Sequence, residues 1–349
     1  MFKKILHAPI LAVAFVAGTF TLNAAPIQPA RGLPQDAKIV MHADADALRT
    51  SKISQIAGVA EKCEGSPVAK KIADAISDIT FGAKDLEDSG TLLARGTFSR
   101  ADVVAFFKEI SSEIAEKKIE NRNCFVGAIK GESKDSAFSK IGGGLASSIA
   151  IEREDVKYAF TFIKNKNGKN LVLLSIGEET DLESALAQAI RDYTAKKSMP
   201  VPASLKGIKG APLFLAAALP GAFKDGDALE MSSSKISITE EADALAVSYT
   251  GTMDSEEIAK KRANETRQVL TFVAMAFTMA PMQEEGENEK TPEEAKAEEA
   301  VRKFVASALA GAKVSSEKKD LSVSIKFPSE ALVELSKELP AMLMGKKEK

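Results

Sequence analysis

The 349-residue chain has no tryptophan and three tyrosines. Stacking platforms for sugar rings or unpaired bases are built largely from such side chains, so aromatic-rich carbohydrate or base-stacking surfaces are not expected. Charge of one sign is also lacking. The 47 Lys and Arg nearly balance the 49 Asp and Glu, for a formal net charge of −2, which leaves no electrostatic footprint for nucleic acid. There are two histidines, His7 and His42, and two cysteines, Cys63 and Cys124. The cysteine spacing matches no metal motif. Beyond the N-terminal region no apolar run is long enough to span a bilayer; the nearest, Leu270 to Met282, is too short. Catalytic signatures are missing as well. No G-x-S-x-G elbow occurs, and Gly142 to Gly144 is followed by no Lys-Ser/Thr of the P-loop kind. Ser232 to Lys235 and Ser315 to Lys318 satisfy S-x-x-K, but the pattern is too permissive in a chain rich in both residues to mark a nucleophile.

What is present begins with an export signal. Lys3 and Lys4 form a positive n-region, Ile10 to Phe20 an apolar h-region, and Leu22-Asn23-Ala24 a small-residue cleavage site. Residues 1–24 are thus expected to be removed, leaving a mature protein that is periplasmic or secreted. In an oxidising compartment the two cysteines fit one disulfide; two buried free thiols fit the sequence equally well.

The stretch from Leu33 to Ala60 reads as a strand, Ala37 to Ala43, that runs into a helix. Asp44 and Asp46 are short acceptors suited to capping the helix start, and Ile53, Ile56, Ala57 and Ala60 fall on one helical stripe. A second strand of this kind, Ala211 to Phe223, opens the other half. Further on, Ser66-Pro67 predicts a helix start, with Val68, Ile72, Ile76 and Ile79 on one face and Gly82 as its end. Ser99 with Asp102 predicts a capping box ahead of a buried stripe of Val103, Phe106, Phe107, Ile110 and Ile114. Ser147 to Glu152 and Val156 to Ile163 predict strands. Asn167-Gly168 predicts a hairpin, and Leu182, Leu186, Ala189, Ile190 and Tyr193 the core face of another helix. Lys196 to Gly210, with its prolines and glycines, reads as a linker.

The second half echoes this order. Gly251 to Asp254 matches Gly96 to Ser99, Glu257 matches Asp102, and Lys319 to Ile325 matches Lys169 to Ile176 as the return arm of a hairpin. Ser329 is expected to start a last helix carrying Leu332, Leu335 and Leu339. A tandem duplication accounts for these echoes. The repeats are then residues 33–196 and 211–344, the second carrying an acidic insertion at 283–292 whose composition cannot order itself. A long helix from Ser255 to Ala280 precedes the insertion, and a helix from Pro292 follows it.

Three constellations are candidates for function. His42 and Asp44 lie on one strand face, with Asp46 beyond, so the trio could hold a metal or act as a base with its orienter; the simpler reading is a hydrogen-bonded histidine at a strand end. Phe272, Met275, Phe277, Met279 and Met282 form an adaptable apolar stripe, either core or a groove for a greasy partner. Cys63 and Cys124 complete the set as a candidate disulfide. No cofactor is expected.

The opening pattern Leu33-Pro34-x-Asp36-Ala37, then Asp44 to Leu48 and Ser51-x-Ile53, resembles the start of uncharacterised exported bacterial proteins with a duplicated α+β architecture. That resemblance implies a fold and transfers no site residue. The sequence therefore predicts an α+β protein of two related halves, each a mainly antiparallel sheet with helices packed on one face. The function expected is that of a non-catalytic envelope protein binding a protein partner or an apolar ligand. A metal-dependent or hydrolytic enzyme using His42, Asp44 and Asp46 is one alternative, and a structural envelope component another.

Overall fold

A computed structural model describes residues 32–49, 51, 67–84, 90–129, 157–164, 168–177, 182–196, 214–220, 230–278 and 292–333. The export signal, Cys63, Ile53 to Ala60, Gly142 to Gly144, Ser147 to Glu152, Met279, Met282, Leu335, Leu339 and the acidic stretch before Pro292 lie outside these residues. The chain divides into two compact units, with the boundary between Asp225 and Gly226.

Unit 1 contains β1 (Ile39–Asp44), α1 (Ala45–Arg49), α2 (Pro67–Ala75), β2 (Ile76–Ala83), β3 (Gly90–Gly96) and α3 (Arg100–Ile110). β4 (Ser111–Ile119), β5 (Arg122–Ile129), β6 (Lys157–Ile163), β7 (Asn170–Gly177), α4 (Leu182–Thr194) and β8 (Phe214–Ala218) complete it. Its strands form a sheet in the order β8-β1-β2-β3-β7-β6-β5-β4, and each neighbouring pair runs antiparallel. The strand from the expected second half, β8, belongs here because it pairs with β1, Ala216 opposite Met41. The unit boundary accordingly falls after β8 and not within the 196–210 linker.

The prediction of helices on one face fails for unit 1. Successive residues of β7 face opposite ways: Leu173 packs with Leu182, Leu186 and Ile190 of α4, while Val172 and Leu174 pack with Val103, Phe107 and Ile110 of α3. Both faces are therefore covered. Phe160, fully buried on the α3 side, stacks on Phe107 at 4.3 Å and on Phe125 at 5.0 Å between ring centroids.

Two helices are shorter than their apolar periodicity implied. α2 does start at Pro67 but stops at Ala75, and Ile76 and Ile79 belong to β2, between β1 and β3. The segment ISDITF is rich in β-branched residues, and from Asp78 on it alternates, so strand pairing prevails over helical spacing. The capping box at Ser99 forms as expected, with the Asp102 amide donating to Ser99 Oγ at 3.1 Å and the Ser99 amide donating to Asp102 Oδ2 at 3.2 Å. α3 ends at Ile110, however, and Ile114 lies on β4. Ser111 marks the break. Its backbone is extended, and its hydroxyl bonds the Phe107 carbonyl and the Tyr158 hydroxyl. The β6–β7 hairpin turns through Gly168, whose φ of +80° lies in the left-handed region that glycine adopts freely.

Unit 2 contains β9 (Met231–Glu240), β10 (Ala244–Met253), α5 (Glu256–Thr278), α6 (Pro292–Ala310), β11 (Lys313–Glu317) and β12 (Asp320–Pro328), with a helix opening at Ser329. Its sheet order is β9-β10-β12-β11, the same as that of β2-β3-β7-β6 in unit 1. Here α5 and α6 lie on one face. Met253, Leu321, Tyr249 and Val323 pack with Ala259 and Ala263 of α5, and Phe327 stacks on Phe304 of α6 at 5.6 Å. The alternate positions, among them Ser237, Ser248, Thr250, Ser322 and Ser324, form the other face. The cap of α5 is Ser255, whose hydroxyl accepts from the Ile258 amide at 3.2 Å, one residue beyond the cap matched to Ser99.

Candidate functional site

His42, Asp44 and Asp46 occupy the end of β1 and the first turn of α1, as their spacing predicts, but each is committed elsewhere. His42 lies opposite Thr80 on β2 and Leu215 on β8. Its Nδ1 is 3.0 Å from Thr80 Oγ1, and the residue is 9 % exposed. Burial holds the imidazole well below its ordinary value, at about 4; the nearby Asp44 opposes this and the Arg95 guanidinium adds to it. The ring is thus neutral across the physiological range.

Asp44 caps α1. Its Oδ1 accepts from the Ala47 amide at 2.7 Å, satisfying one orphan donor of the helix start. Burial pushes its carboxyl up, partly offset by that amide and by His42. Asp46 points to the surface, pairing with Arg49 at 2.5 Å and Lys169 at 3.4 Å.

The neighbourhood contains residues that the sequence did not single out. Asp78, across from Asp44 on β2, bonds Arg95 of β3 at 2.8 Å. Burial outweighs the guanidinium and raises the Asp78 carboxyl. The signal for Thr80, Asp78 and Arg95 was strand register, which a helical reading of Ile76 to Ile79 conceals. Among the described residues, no three or more His, Cys, Asp and Glu come together as metal ligands. The arrangement resembles a satisfied polar knot at a strand end, with His42 bonded to Thr80, Asp44 to a helix start and Asp78 to Arg95.

Cys124 is buried on β5, its Sγ 3.5 Å from the Arg122 carbonyl oxygen and 3.9 Å from that of Ile119. Burial pushes the thiol up from its usual value, the opposite of what a reactive thiolate needs. The pairing with Cys63 falls outside the described residues.

The apolar stripe is only partly core. On α5, Phe272 is 70 % exposed and Met275 51 %, and Val269, one turn earlier, is 58 % exposed. Positions i, i+3 and i+6 lie on one helix face, so the three form one outward stripe. Ala259, Ala263 and Ala274 face inward. Phe277 is in α5 as well, its side chain outside the described residues. Val269 carries no sequence signal of its own, since a valine has neither the aromatic ring nor the thioether that marks the rest of the stripe. A shallow hollow of about 440 Å³ on unit 1 is lined by Arg100, Val104, Lys108, Glu116 and Phe125; Arg100 fills part of its wall, paired with Glu116 at 2.8 Å and lying 5.2 Å over the Phe125 ring.

No family model matches the chain and no curated protein matches it. Among solved structures it is similar to crystal form III of TP0453, with a TM-score of 0.44 at 11% identity over 89% of this chain and 98% of that one. Crystal form I gives 0.40 at 11% identity over 90% and 98%, and crystal form IV gives 0.43 at 11% identity over 88% and 96%. At these scores the likeness carries nothing further. No helix among the described residues is long and apolar enough to cross a membrane.

Proposed function

We propose that the protein is an exported, non-catalytic binding protein of the cell envelope that engages an apolar partner through the outer face of α5. Export rests on the N-terminal pattern of Lys3, Lys4 and the apolar run to Phe20. The observation that carries the binding reading is the exposure of Phe272 at 70 %, continuous with Val269 and Met275 on one stripe. Single exposed apolar residues are ordinary on protein surfaces, whereas a contiguous set marks an interaction site. Phenylalanine and methionine also suit such a role, giving large contact area and adaptable shape.

The non-catalytic reading is supported by the commitments of His42, Asp44 and Asp46 to Thr80, the Ala47 amide and Arg49. The two units, with their shared four-strand order, fit an origin by tandem duplication, the second copy having acquired its own binding helix.

The test uses the mature protein and a Phe272→Ser/Met275→Ser variant, titrated with an environment-sensitive apolar dye, 1-anilinonaphthalene-8-sulfonate. The wild type is expected to enhance dye fluorescence saturably, and the variant to lose most of that enhancement at unchanged melting temperature. Equal enhancement by both proteins would overturn the assignment of the site to α5.

A further inference from the structure

We propose that two copies of this chain pair through the outer edge of unit 2, β11 against β11, about a two-fold axis at Ser315. The argument begins with the direction of the backbone groups. In an antiparallel pair, alternate residues turn both N–H and C=O toward one neighbour. The Met253 amide donates to the Lys319 carbonyl at 2.8 Å, and Gly251 lies opposite Leu321 two residues on. Leu321 therefore turns its groups toward β10, which leaves Asp320, Ser322 and Ser324 turned toward β11. Their partners there are Glu317, Ser315 and Lys313. Val314 and Ser316 consequently turn their backbone groups away from the sheet. The contact of Arg267 with the Val314 carbonyl oxygen, at 3.0 Å from Nη2, agrees with this direction. Among the described residues β11 is the outer strand of this sheet.

The outward pattern is self-complementary. With Ser315 opposite its own copy, Val314 faces Ser316 of the second chain, and each outward N–H meets an outward C=O. The Val314 oxygen keeps Arg267 on its second lone pair. The same register places Lys313 opposite Glu317 of the other copy, twice by symmetry. Glu317 otherwise faces Asp320 across its own hairpin, a like-charged cross-strand pair that an incoming Lys313 neutralises. Lys313, Ser315 and Glu317 are all exposed. No other register on this short strand both matches the outward groups and opposes its charges. The pairing is independent of the α5 stripe and of what that stripe binds.

The experiment is sedimentation equilibrium of the mature chain up to about 1 mM, the concentration range of weak pairs. The wild type is expected to show reversible dimerisation. Lys313→Glu and Glu317→Lys, each alone, replace both attractions with repulsions and are expected to weaken the dimer by at least about tenfold. An equimolar mixture of the two variants restores every pair as a heterodimer and should recover the wild-type association. Ser316→Pro removes an outward N–H at an edge position where proline fits, and should abolish pairing while leaving the melting temperature near that of the wild type. A wild type that stays monomeric throughout would overturn the proposal. So would single variants that dimerise as the wild type does, a mixture that fails to recover association, or a folded Ser316→Pro that still pairs.

Discussion

Unit 1 and unit 2 share a run of four antiparallel strands in one order, yet they bury their sheets differently. In unit 1, the strand β7 reads Asn-Leu-Val-Leu-Leu-Ser-Ile-Gly, nearly continuous in apolar residues, and α3 and α4 cover opposite faces. In unit 2, the corresponding β12 reads Asp-Leu-Ser-Val-Ser-Ile-Lys-Phe-Pro, a strict alternation, and only the Leu321, Val323 and Phe327 side meets helices. A continuous apolar strand needs cover on both faces, and an alternating one needs it on a single face. The same strand order thus supports a three-layer core or a two-layer one, depending on whether the alternate residues are apolar, as Val172 and Leu174 are, or polar, as Ser322 and Ser324 are.

The largest expected effect tests the two-sided core. Phe160→Ala empties a fully buried position flanked by the Phe107 and Phe125 rings and should cost about 3–5 kcal/mol. Denaturant unfolding measures it. A loss of under about 1 kcal/mol would mean that α3 does not seal that face, and the contrast with unit 2 would lose its basis.

The next effect comes from a buried polar group elsewhere in unit 1. His42 has a folded-state value of about 4, below its ordinary 6.5, because burial disfavours the cation. Between those values the unfolded chain takes a proton that the folded chain refuses. Stability is therefore highest above pH 6.5 and falls as the pH drops toward 4, by on the order of 3 kcal/mol for this group. Asp44 and Asp78 act in the opposite sense. Their carboxyls are raised, so just above the ordinary carboxylate value the folded state binds the extra protons, which offsets part of the loss. His42→Asn, which cannot titrate, should flatten the decline between pH 6.5 and 4.5 in urea unfolding. An unchanged slope would show that other groups set the acid sensitivity.

What the sequence made legible follows from the same contrast. In unit 2 the hairpin return through Asp320, the long helix from Ser255, the helix from Pro292 and the start at Ser329 stand within a residue or two, while β9, β11 and the body of β10 are strands that the sequence reading did not assign. Alternation and caps are local signals, and one-sided sheets display them. Unit 1 hid more. Its central strands carry apolar residues on both faces, so Ile76 and Ile79 fit a helical stripe as well as a strand, and only pairing with β1 and β3 decides between them. Ile114 was misplaced because the backbone turns extended at Ser111 and the chain pairs with β5 from there, a change that the continuing apolar spacing does not show. The His42 trio was visible as a cluster, but its commitments to Thr80 and the Ala47 amide depend on register and geometry. The α5 stripe was half legible: composition pointed to Phe272 and Met275, while exposure, which separates core from surface, is a tertiary property.

The smallest expected effect tests the other side of the comparison. Ser324 lies on β12 between Ser248 of β10 and Lys313 of β11, on the sheet face opposite α5. If that face meets water, Ser324→Val trades a solvated hydroxyl for a β-branched side chain favoured in strands, and stability should change by less than about 0.5 kcal/mol in either direction. The same kind of exchange in reverse, Leu173→Ser on β7, would bury an unpaired hydroxyl under α4 and leave a cavity as well. The ratio of the two effects is thus a direct measure of how differently the units use one strand order. A loss above about 1 kcal/mol for Ser324→Val, beyond what an open strand position gives, would mean that the serine face is covered in solution.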